Sequence, residues 1–338
     1  MQHFYVLGIE TSCDETGIAI YSSTSGMVSN EIFSQIKIHK KFGGIIPEIA
    51  AREHIKRLVA ILNKAIKKAQ ISVNCLNCIT YTAGPGLAGS LMVGTAFAKS
   101  LSYALNVPNI IVNHLEGHML IAKMEYDKIK YPFLSLIVSG GHTQLVLVYN
   151  IDDYKIIADT LDDAVGEVFD KVSRMMNLSY PGGPVISKIA MQATKYIKLT
   201  IPVKRKNKLY FSFSGLKTQI KKLYDKSGKT RQEKSNIAYS FEKTIIKSLI
   251  LKVKLAIKMY KIKQLVVVGG VASNIKLRYA LKNDVYLKNT KIFFPQKKYC
   301  TDNGAMIAYA GYLKFLNSTQ DNSKQIKVYT QWNLDAKL

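Results

Sequence analysis

Cysteine, proline and acidic residues are all scarce in this 338-residue chain. It contains four cysteines (Cys13, Cys75, Cys78 and Cys300), eight prolines and 23 aspartate and glutamate residues. Four cysteines are too few for a disulfide framework at this length. Cys75 and Cys78 form a single C-x-x-C, and no second pair or nearby histidine completes a zinc site. The cysteines are therefore interpreted as reduced thiols of a cytosolic protein.

Long apolar runs are absent as well. No stretch reaches the ~18 residues that a membrane-spanning helix needs. Residues 1–10 lack the basic start, the apolar stretch and the cleavage site of a signal peptide, and they resemble a first strand. We therefore expect a cytoplasmic protein without a membrane partner. Because 48% of the residues are hydrophobic and 21% are charged, a disordered chain is excluded.

Positive charge is in large excess. The 48 lysine and arginine residues give a formal net charge of +25, which suggests a polyanionic partner such as RNA. Only six of the 48 are arginine, however, and isoleucine and asparagine are also abundant. Lysine, isoleucine and asparagine all have AT-rich codons, so genome composition explains part of the charge. The excess is compatible with RNA binding but does not establish it.

Two strand–turn–strand patterns, about 130 residues apart, indicate a duplication. Apolar runs at 4–9 and 17–21 flank a polar turn, and so do the runs at 133–138 and 145–149. Helix and strand patterns alternate after each hairpin. Helices are predicted at 47–69, 88–105, 163–176, 185–196, 230–259 and 302–315, and further strands at 78–82, 109–112 and 264–268. The pattern predicts an α/β protein of two related domains.

Residues 84–89 (GPGLAG) match the G-x-G-x-x-G pattern between a predicted strand and a predicted helix. A dinucleotide site also requires an acidic residue about 20 positions later, to hold a ribose. Residues 102–112 contain no acidic residue. A tight strand-to-helix turn is therefore the favoured interpretation, and a nicotinamide or flavin site is the alternative.

Residues 114–118 (HLEGH) place two histidines four positions apart. On a helix, His114 and His118 share a face, so both imidazoles can reach one metal. The protease pattern H-E-x-x-H puts its glutamate directly after the first histidine. Glu116 is two residues on, about 200° round the helix from His114, and is expected to point away from the metal. The pair is interpreted either as metal ligands or as helix-surface residues.

Glycine pairs follow two strongly apolar strands, at 139–143 (SGGHT) and 269–274 (GGVASN). Paired glycines let backbone amides approach a phosphate or nucleoside, and a helix that starts just afterwards adds its dipole. Asp170 lies on a predicted helix, and residues 181–184 (PGGP) form a further rigid turn. Two such loops favour a nucleotide site, and ordinary turns are the alternative.

The few acidic residues include three in the first hairpin turn, Glu10, Asp14 and Glu15. Carboxylates at this position can orient a metal-bound water, receive a proton or repel phosphate. Asp302 is interpreted either as a helix N-cap or as a third, oxygen ligand of a metal.

Basic and aromatic residues alternate in segment 204–217. The residues are Lys204, Arg205, Lys206, Lys208, Tyr210, Phe211, Phe213 and Lys217. Cations that contact phosphates and rings that stack on bases suit RNA. A solvated loop with buried aromatic rings is the alternative.

Seven motifs together resemble those of the bacterial TsaD family, and they occur in that family's order. They are residues 10–16 (ETSCDET), 83–86 (AGPG), 114–118 (HLEGH), 138–143 (VSGGHT), 211–218 (FSFSGLKT), 269–274 (GGVASN) and 300–306 (CTDNGAM). The resemblance runs from about residue 4 to 316. It implies two duplicated actin/sugar-kinase/Hsp70-like (RNase H-like) domains with a cleft between them. The expected domains are residues 1–132, completed by 303–338, and the nucleotide-binding residues 133–302.

The resemblance also implies an activity, which is transfer of a threonylcarbamoyl group from threonylcarbamoyl-adenylate to N6 of adenosine 37 in tRNAs that read codons beginning with A. One divalent metal per subunit, Fe²⁺ or Zn²⁺, is implied. The implied protein partners are a TsaB-type paralogue and a TsaE-type ATPase. By motif position, the metal ligands are His114, His118 and Asp302, and the adenylate is held by Ile137, Val138, Ser139, Gly140, Gly141, Asp170, Gly183 and Asn274. Asp14 and Glu15 are the candidates to position or deprotonate the amine.

Three other functions remain as alternatives. A sugar or acetate kinase of the same fold class would use ATP with Mg²⁺ and would need neither the histidine pair nor tRNA. A metalloprotease conflicts with the position of Glu116. A non-catalytic nucleotide-binding scaffold would have no use for an open metal site.

Overall fold

The computed structural model describes residues 3–201, 208–317 and 325–336. The chain divides into two compact units. The first unit comprises Met1–Lys128 together with Pro295–Leu338, and the second unit comprises Ile129–Phe294. The expected divisions after residues 132 and 302 thus lie close to these positions, but Asp302 falls within the first unit.

The first unit is built on a five-stranded mixed sheet. Its strands are β1 (Tyr5–Glu10), β2 (Glu15–Ser22), β3 (Gly26–Ser34), β4 (Leu76–Gly84) and β5 (Asn109–Asn113). The order across the sheet is β3-β2-β1-β4-β5, with β1 antiparallel to β2 and parallel to β4. The helices of this part of the chain are α1 (Ile36–His39), α2 (Pro47–Ala69), α3 (Ala88–Leu105) and α4 (His114–Glu125).

The second unit repeats this arrangement. Its strands are β6 (Phe133–Val138), β7 (Thr143–Asn150), β8 (Asp153–Ala158), β9 (Gln264–Val268) and β10 (Lys291–Phe293). The order is β8-β7-β6-β9-β10, again with one antiparallel hairpin and a parallel neighbour beside the first strand. Its helices are α5 (Val165–Met175), α6 (Gly182–Ala190), α7 (Ser214–Asp225), α8 (Arg231–Tyr260) and α9 (Ile275–Lys282). The predicted duplicated α/β fold is confirmed.

A last helix, α10 (Gly304–Leu316), returns to the first unit and packs against its sheet. The approach is close at two glycines. A Cβ atom on Gly8 of β1 would lie 2.3 Å from the backbone nitrogen of Ala308, and one on Gly304 would lie 2.5 Å from that of Ala19. Only glycine permits such backbone contact. The close packing places the start of α10, and with it Asp302, beside the ends of the strands.

Most element predictions are confirmed, but three strands, and two helices of the second half, were missed. The helices at 47–69 and 88–105 and the strands at 133–138 and 264–268 have the predicted bounds. The strands that were not predicted, β3, β8 and β10, each form an edge of a sheet, and the helices that were not predicted are α7 and α9. α6 starts three residues before its predicted start and ends at Ala190 instead of residue 196. Among the described residues, no helix is both long and apolar enough to span a membrane.

Candidate metal centre and glycine-rich loops

The two histidines of the HLEGH motif lie on one face of α4. His114 is the first residue of the helix, and the side chain of Asn113 caps the helix by accepting a hydrogen bond from the backbone nitrogen of Leu115 at 2.9 Å. His118 follows one turn later, and the two ring centroids are 4.8 Å apart with the rings nearly perpendicular. The predicted helical spacing is confirmed, and both side chains are buried.

Asp302 joins this pair from a segment 184 residues away. Its Oδ1 lies 3.0 Å from Nε2 of His118 and 3.5 Å from Nε2 of His114. The two interpretations of Asp302 are thereby separated, because Asn303 caps α10 by accepting from the backbone nitrogen of Met306 at 3.1 Å. Asn303 therefore has the capping role, and Asp302 faces the imidazoles.

The three side chains offer ligand atoms that all lie within 4.8 Å of one another, the one such group among residues 3–201, 208–317 and 325–336. Two imidazoles and a carboxylate suit Zn²⁺ or Fe²⁺. In addition, Nδ1 of His118 is buried and has no hydrogen-bond partner. A buried polar atom without a partner is costly in a folded protein, and a bound ion or water is one explanation for it. The residues present fit a divalent cation.

Glu10 lies behind His114 as a fully buried carboxylate at the end of β1. Its Oε2 is 3.0 Å from Nδ1 of His114 and accepts a hydrogen bond from Thr82 Oγ1 at 2.6 Å, and its Oε1 accepts from the backbone nitrogen of Ser12 at 2.6 Å. A carboxylate only accepts, so it selects the Nδ1–H form of the imidazole and leaves Nε2 to face Asp302. Metal-bound histidines are commonly oriented in this way.

Charge around His114 is strongly negative. Burial disfavours its imidazolium, but the charges of Asp302 and Glu10 raise the pKa of His114 to about 9. Burial likewise disfavours the charged form of Glu10, but the charge and hydrogen bond of His114 lower the pKa of Glu10. The pocket therefore stabilises positive charge at this position, whether it is carried by a proton or by a metal ion.

We expect Glu10→Gln to weaken divalent-metal binding by about ten- to a hundredfold, because the amide no longer holds His114 as a charged acceptor does. Zn²⁺ affinity of the purified chain, measured by competition with a chromogenic chelator, checks this. Glu48→Gln makes the same chemical change at an exposed residue of the first unit and serves as the control. Equal affinities in all three proteins would contradict the assigned role.

Asp14 and Glu15 lie at the start of β2 in the same unit. Asp14 is buried, and Oε1 of Glu15 accepts a hydrogen bond from Ser34 Oγ at 3.1 Å. Burial, followed by the negative charges of Asp14 and Asp302, raises the pKa of Glu15 well above its usual value. Asp302 is thus near enough for its charge to raise the pKa of Glu15. The fold brings these two acids to the neighbourhood of the histidine pair.

Glu116 points away from the histidines, as predicted. Its Oε2 lies 3.3 Å from Nζ of Lys314 on α10, and both side chains are buried. In the H-E-x-x-H proteases the glutamate activates a water molecule bound to the metal, and a glutamate held in this ion pair is not placed to do so. The geometry therefore contradicts the metalloprotease alternative.

The GPGLAG segment is a turn that packs against the chain itself. Backbone nitrogen of Tyr329 donates to the carbonyl of Ala83 at 2.8 Å, and that of Gly86 donates to the carbonyl of Thr330 at 3.3 Å. A Cβ atom on Gly84 would lie 2.0 Å from the carbonyl oxygen of Tyr329. Because the chain's own backbone fills the space beside the glycines, the turn interpretation is supported over the dinucleotide site.

In the second unit, the SGGHT loop contacts the GGVASN loop and the start of α5. Ile137 and Val138 end β6 and are buried. Gly269 approaches them so closely that a Cβ atom there would lie 2.5 Å from the carbonyl oxygen of Val138, and its φ of 90° also favours glycine. On the other side, the carbonyl of Ser139 accepts from the backbone nitrogen of Gly166 at 3.1 Å.

Further contacts join α5 to α6 and α6 to the GGVASN loop, so that these segments form a ring. Oδ1 of Asp170 on α5 accepts from the backbone nitrogen of Gly182 at 2.6 Å, which fixes the start of α6 next to Gly183. Farther along α6, Ser187 Oγ lies 3.1 Å from Nδ2 of Asn274, the residue that caps α9. The residues that the resemblance assigns to adenylate binding are therefore joined by direct contacts within one unit.

Three glycines of this ring face open space. A Cβ atom on Gly140, Gly141 or Gly183 would meet no atom within 4 Å. Backbone that is open in this way lets a ligand approach the main chain closely. The ring is therefore a candidate nucleotide cradle.

Two of the three aromatic residues of segment 204–217 do not offer a stacking surface for RNA, and the third, Tyr210, is partly exposed. Phe211 and Phe213 are 1% and 0% exposed and stack on each other, and Lys217 is paired with Asp163. Residues 204–206 lie outside the described part of the chain. The alternative with buried aromatic rings is the correct one for these two side chains.

One functional candidate was missed by sequence reasoning. Glu242 of α8 is completely buried, although the helix contains six lysines. The sequence offered one indication of burial, which is that this acidic residue directly follows Phe241, one of the largest fully buried side chains. Nothing in the spacing indicated its partners, which come from α6 and α9.

Known proteins resemble this chain over nearly its whole length. The family model described as "TsaD: tRNA N6-adenosine threonylcarbamoyltransferase" matches residues 26–309. A curated protein of that name from Legionella pneumophila (strain Corby) is 47% identical over 331 residues, with 97% of this chain and 99% of the relative covered. Another, from Buchnera aphidicola subsp. Schizaphis graminum, is 46% identical over 334 residues, with 98% of each covered.

Solved structures show the same fold at low sequence identity. The HypF protein of T. kodakarensis matches with a TM-score of 0.63 and 14% identity over 94% of this chain and 48% of that protein. The component A of (R)-2-hydroxyglutaryl-CoA dehydratase from Acidaminococcus fermentans matches with a TM-score of 0.56 and 14% identity over 92% and 98% of the two chains. With the seven motifs, the family match and the full-length relatives together, this chain belongs to the tRNA N6-adenosine threonylcarbamoyltransferase (TsaD) family.

Proposed function

We propose that the chain transfers the threonylcarbamoyl group of threonylcarbamoyl-adenylate to N6 of adenosine 37 in tRNAs that read codons beginning with A, and releases AMP. The observation that carries the proposal is the convergence of His114, His118 and Asp302 in a member of this family. A non-catalytic scaffold has no need to bring two imidazoles and a carboxylate from distant segments to one point.

The chemistry explains why an adenylate is needed. The N6 amine of adenosine is a poor nucleophile because its lone pair is delocalised into the purine. The mixed anhydride activates the carbamoyl carbon. N6 forms a bond to that carbon, the bond from the carbon to the phosphate oxygen breaks, AMP leaves with the electron pair, and N6 loses a proton.

His114, His118 and Asp302 are proposed to hold one Fe²⁺ or Zn²⁺ ion. When bound, the ion supplies Lewis acidity for phosphate or carbamoyl oxygens. Glu10 keeps the His114 ring oriented toward Asp302. The Asn113 cap fixes the start of the helix that carries both histidines.

The AMP portion is proposed to bind the glycine-rich ring of the second unit, at residues 137–141, Asp170, Gly183 and Asn274. The open faces of Gly140, Gly141 and Gly183 support this assignment, since backbone amides can approach a phosphate or ribose there. The hydrogen bonds between Asp170 and Gly182 and between Asn274 and Ser187 hold the ring in this shape.

Asp14 and Glu15 are proposed to position the amine or accept its proton. Burial and the negative charges of Asp14 and Asp302 raise the pKa of Glu15, which makes its carboxylate a stronger proton acceptor than an exposed glutamate. We expect Asp14→Ala or Glu15→Ala to lower the transfer rate by about a hundredfold with unchanged metal content, as is usual for loss of a general base. Transfer rates and metal analysis of the same preparations measure this. If neither variant slows transfer, both residues lose the role.

The proposed partners are tRNA, a TsaB-type paralogue and a TsaE-type ATPase, and the proposed location is the cytoplasm, where tRNA is modified. The net charge of +25 is compatible with tRNA binding. The positive charge on the second unit includes a cluster of Lys243, Lys247 and Lys276 around Tyr196 and Tyr239.

A reconstituted transfer assay tests the proposal. Purified chain, partner proteins, threonylcarbamoyl-adenylate and unmodified tRNA are incubated, and the nucleosides are analysed by mass spectrometry. We expect threonylcarbamoyl-adenosine and an equal amount of AMP. If the tRNA and partners bind but no product forms, a nucleotide-binding scaffold explains the chain better.

A further inference from the structure

Glu242 is a fully buried carboxylate that the proposed reaction does not use. It lies on α8 and is 0% exposed. Its Oε1 accepts hydrogen bonds from Ser187 Oγ at 2.6 Å and from Asn274 Nδ2 at 2.8 Å, and its Oε2 lies 2.7 Å from Nζ of Lys276. Burial of a charged carboxylate is costly unless donors compensate it. Two hydrogen-bond donors and one ammonium group, from two other helical segments, therefore meet at this carboxylate, and the contact of Oε2 with Lys276 is an ion pair without hydrogen-bond geometry.

The donors belong to the nucleotide cradle. Ser187 lies on α6, four residues after Gly183. Asn274 ends the GGVASN loop and caps α9, and Lys276 is the second residue of α9. Glu242 therefore connects α6 to the loop and helix on the other side of the ring.

The carboxylate also determines how Asn274 is oriented. Because a carboxylate can only accept, Nδ2 of Asn274 must face Glu242. Its Oδ1 is then directed at the start of α9, where it accepts from the backbone nitrogen of Leu277 at 2.9 Å. Both amide hydrogens and the carbonyl oxygen of Asn274 are thus used within the protein. The side chain holds the loop in place, and the loop backbone remains for the ligand.

We propose that Glu242 is a positioning residue for the AMP portion of the substrate, which acts by locking the Asn274 loop against α6. This inference rests on the proposed function. It assigns to a residue of α8 the role of holding the cradle in the shape that binds AMP.

The consequence of Glu242→Gln follows from hydrogen-bond chemistry. An amide in place of the carboxylate keeps one acceptor oxygen, which can face either Ser187 and Asn274 or Lys276, but not both, and its two N–H donors face the group left over. Either the ion pair with Lys276 is lost and the amide nitrogen faces its ammonium, or the nitrogen faces Ser187 and Asn274, and Asn274 turns over and loses its cap on α9. We expect AMP affinity about ten- to a hundredfold weaker. In the transfer assay, KM for the adenylate should rise by a similar factor, with kcat within about twofold.

A compensating change distinguishes this role from general damage. Asn274→Asp in the Glu242→Gln background puts a carboxylate where the amide was, so that the new amide at position 242 donates to it. The second carboxylate oxygen at position 274 can still cap α9, since aspartate is as good an N-cap as asparagine. We expect the double variant to recover most of the AMP affinity, although each single variant is impaired.

The experiment is isothermal titration of the full-length chain with AMP, for wild type, Glu242→Gln, Glu242→Leu, the double variant and the exposed control Glu48→Gln. Zn²⁺ affinity is measured on the same samples and should be unchanged, because the metal-ligating residues lie in the other unit. Weak AMP binding by Glu242→Gln with recovery in the double variant supports the inference. Equal AMP binding by wild type, by Glu242→Gln and by Glu242→Leu, which keeps no acceptor for Asn274, overturns it.

Two further outcomes are also decisive. If Glu242→Gln does not fold, two other variants replace it in the titration. These are Ser187→Ala and Lys276→Met, and each removes one partner of the carboxylate. Unchanged AMP affinity in both variants overturns the inference. If the wild-type chain binds no AMP while it retains Zn²⁺, the proposed adenylate site is wrong, and the positioning role falls with it.

Discussion

The double variant His114→Ala, His118→Ala should lose its bound divalent metal and at least about a thousandfold in transfer rate. The two rings supply two of the three candidate ligand atoms, and the remaining carboxylate of Asp302 alone cannot hold a transition metal tightly. Loss of metal-ion stabilisation of developing charge is worth several kcal/mol, and ~4 kcal/mol corresponds to a thousandfold in rate.

Two measurements check this expectation. Metal content by mass spectrometry should fall from about one ion per chain to none, and threonylcarbamoyl-adenosine formation should fall with it. His3→Ala removes an exposed histidine of the same unit and should change neither. AMP binding by the second unit should persist in the double variant. Full transfer activity in a metal-free double variant would show that the histidine pair has no part in the reaction.

The second large effect concerns stability. Lys314→Met should lower the free energy of unfolding by about 3–5 kcal/mol, because it leaves the Glu116 carboxylate buried without this charge partner. Glu116 is 1% exposed and Lys314 5% exposed, so water cannot replace the lost interaction. The pair joins α4, which carries both histidines, to α10, which begins two residues after Asp302.

Urea unfolding monitored by circular dichroism measures this loss. The double variant Glu116→Gln, Lys314→Met removes both charges and should recover much of the stability, since a neutral pair costs less to bury than one isolated charge. Arg52→Ala breaks the exposed pair with Glu48, whose side chains are 70% and 74% exposed, and should cost less than about 1 kcal/mol. A loss for Lys314→Met as small as that for Arg52→Ala would mean that the buried pair contributes little.

The elements that sequence patterns predicted well are those whose burial follows a strong period. The amphipathic α2 and the apolar α3 have their predicted bounds, because side chains at helical spacing face the core along the whole length. β3, β8 and β10 were missed because all three are edge strands, with mixed polar and apolar residues. Pairing with a neighbouring strand, which no local pattern records, is what makes them strands.

The bounds of α6 show how a tertiary contact overrides local preference. Two glycines at its start are poor helix formers, so the pattern predicted a later start. In the structure, the carboxylate of Asp170 accepts from the backbone nitrogen of Gly182 and stabilises the first turn. A tertiary contact also stabilises the start of α7, a helix that the sequence pattern did not predict. The carboxylate of Asp162 accepts from the backbone nitrogens of Phe213 and Ser214 at its start.

The sequence by itself determined the duplicated α/β pattern, the i, i+4 histidine pair and the direction of Glu116, because each depends on spacing within one segment. Only the tertiary structure decided the roles that depend on contacts between distant segments. It assigned the N-cap to Asn303 and left Asp302 for the histidines. It placed Tyr329 against the GPGLAG turn and Glu242 against Asn274. The physical reason is that a side chain's role is set by the atoms that surround it when buried, and these come from parts of the chain that no local period relates.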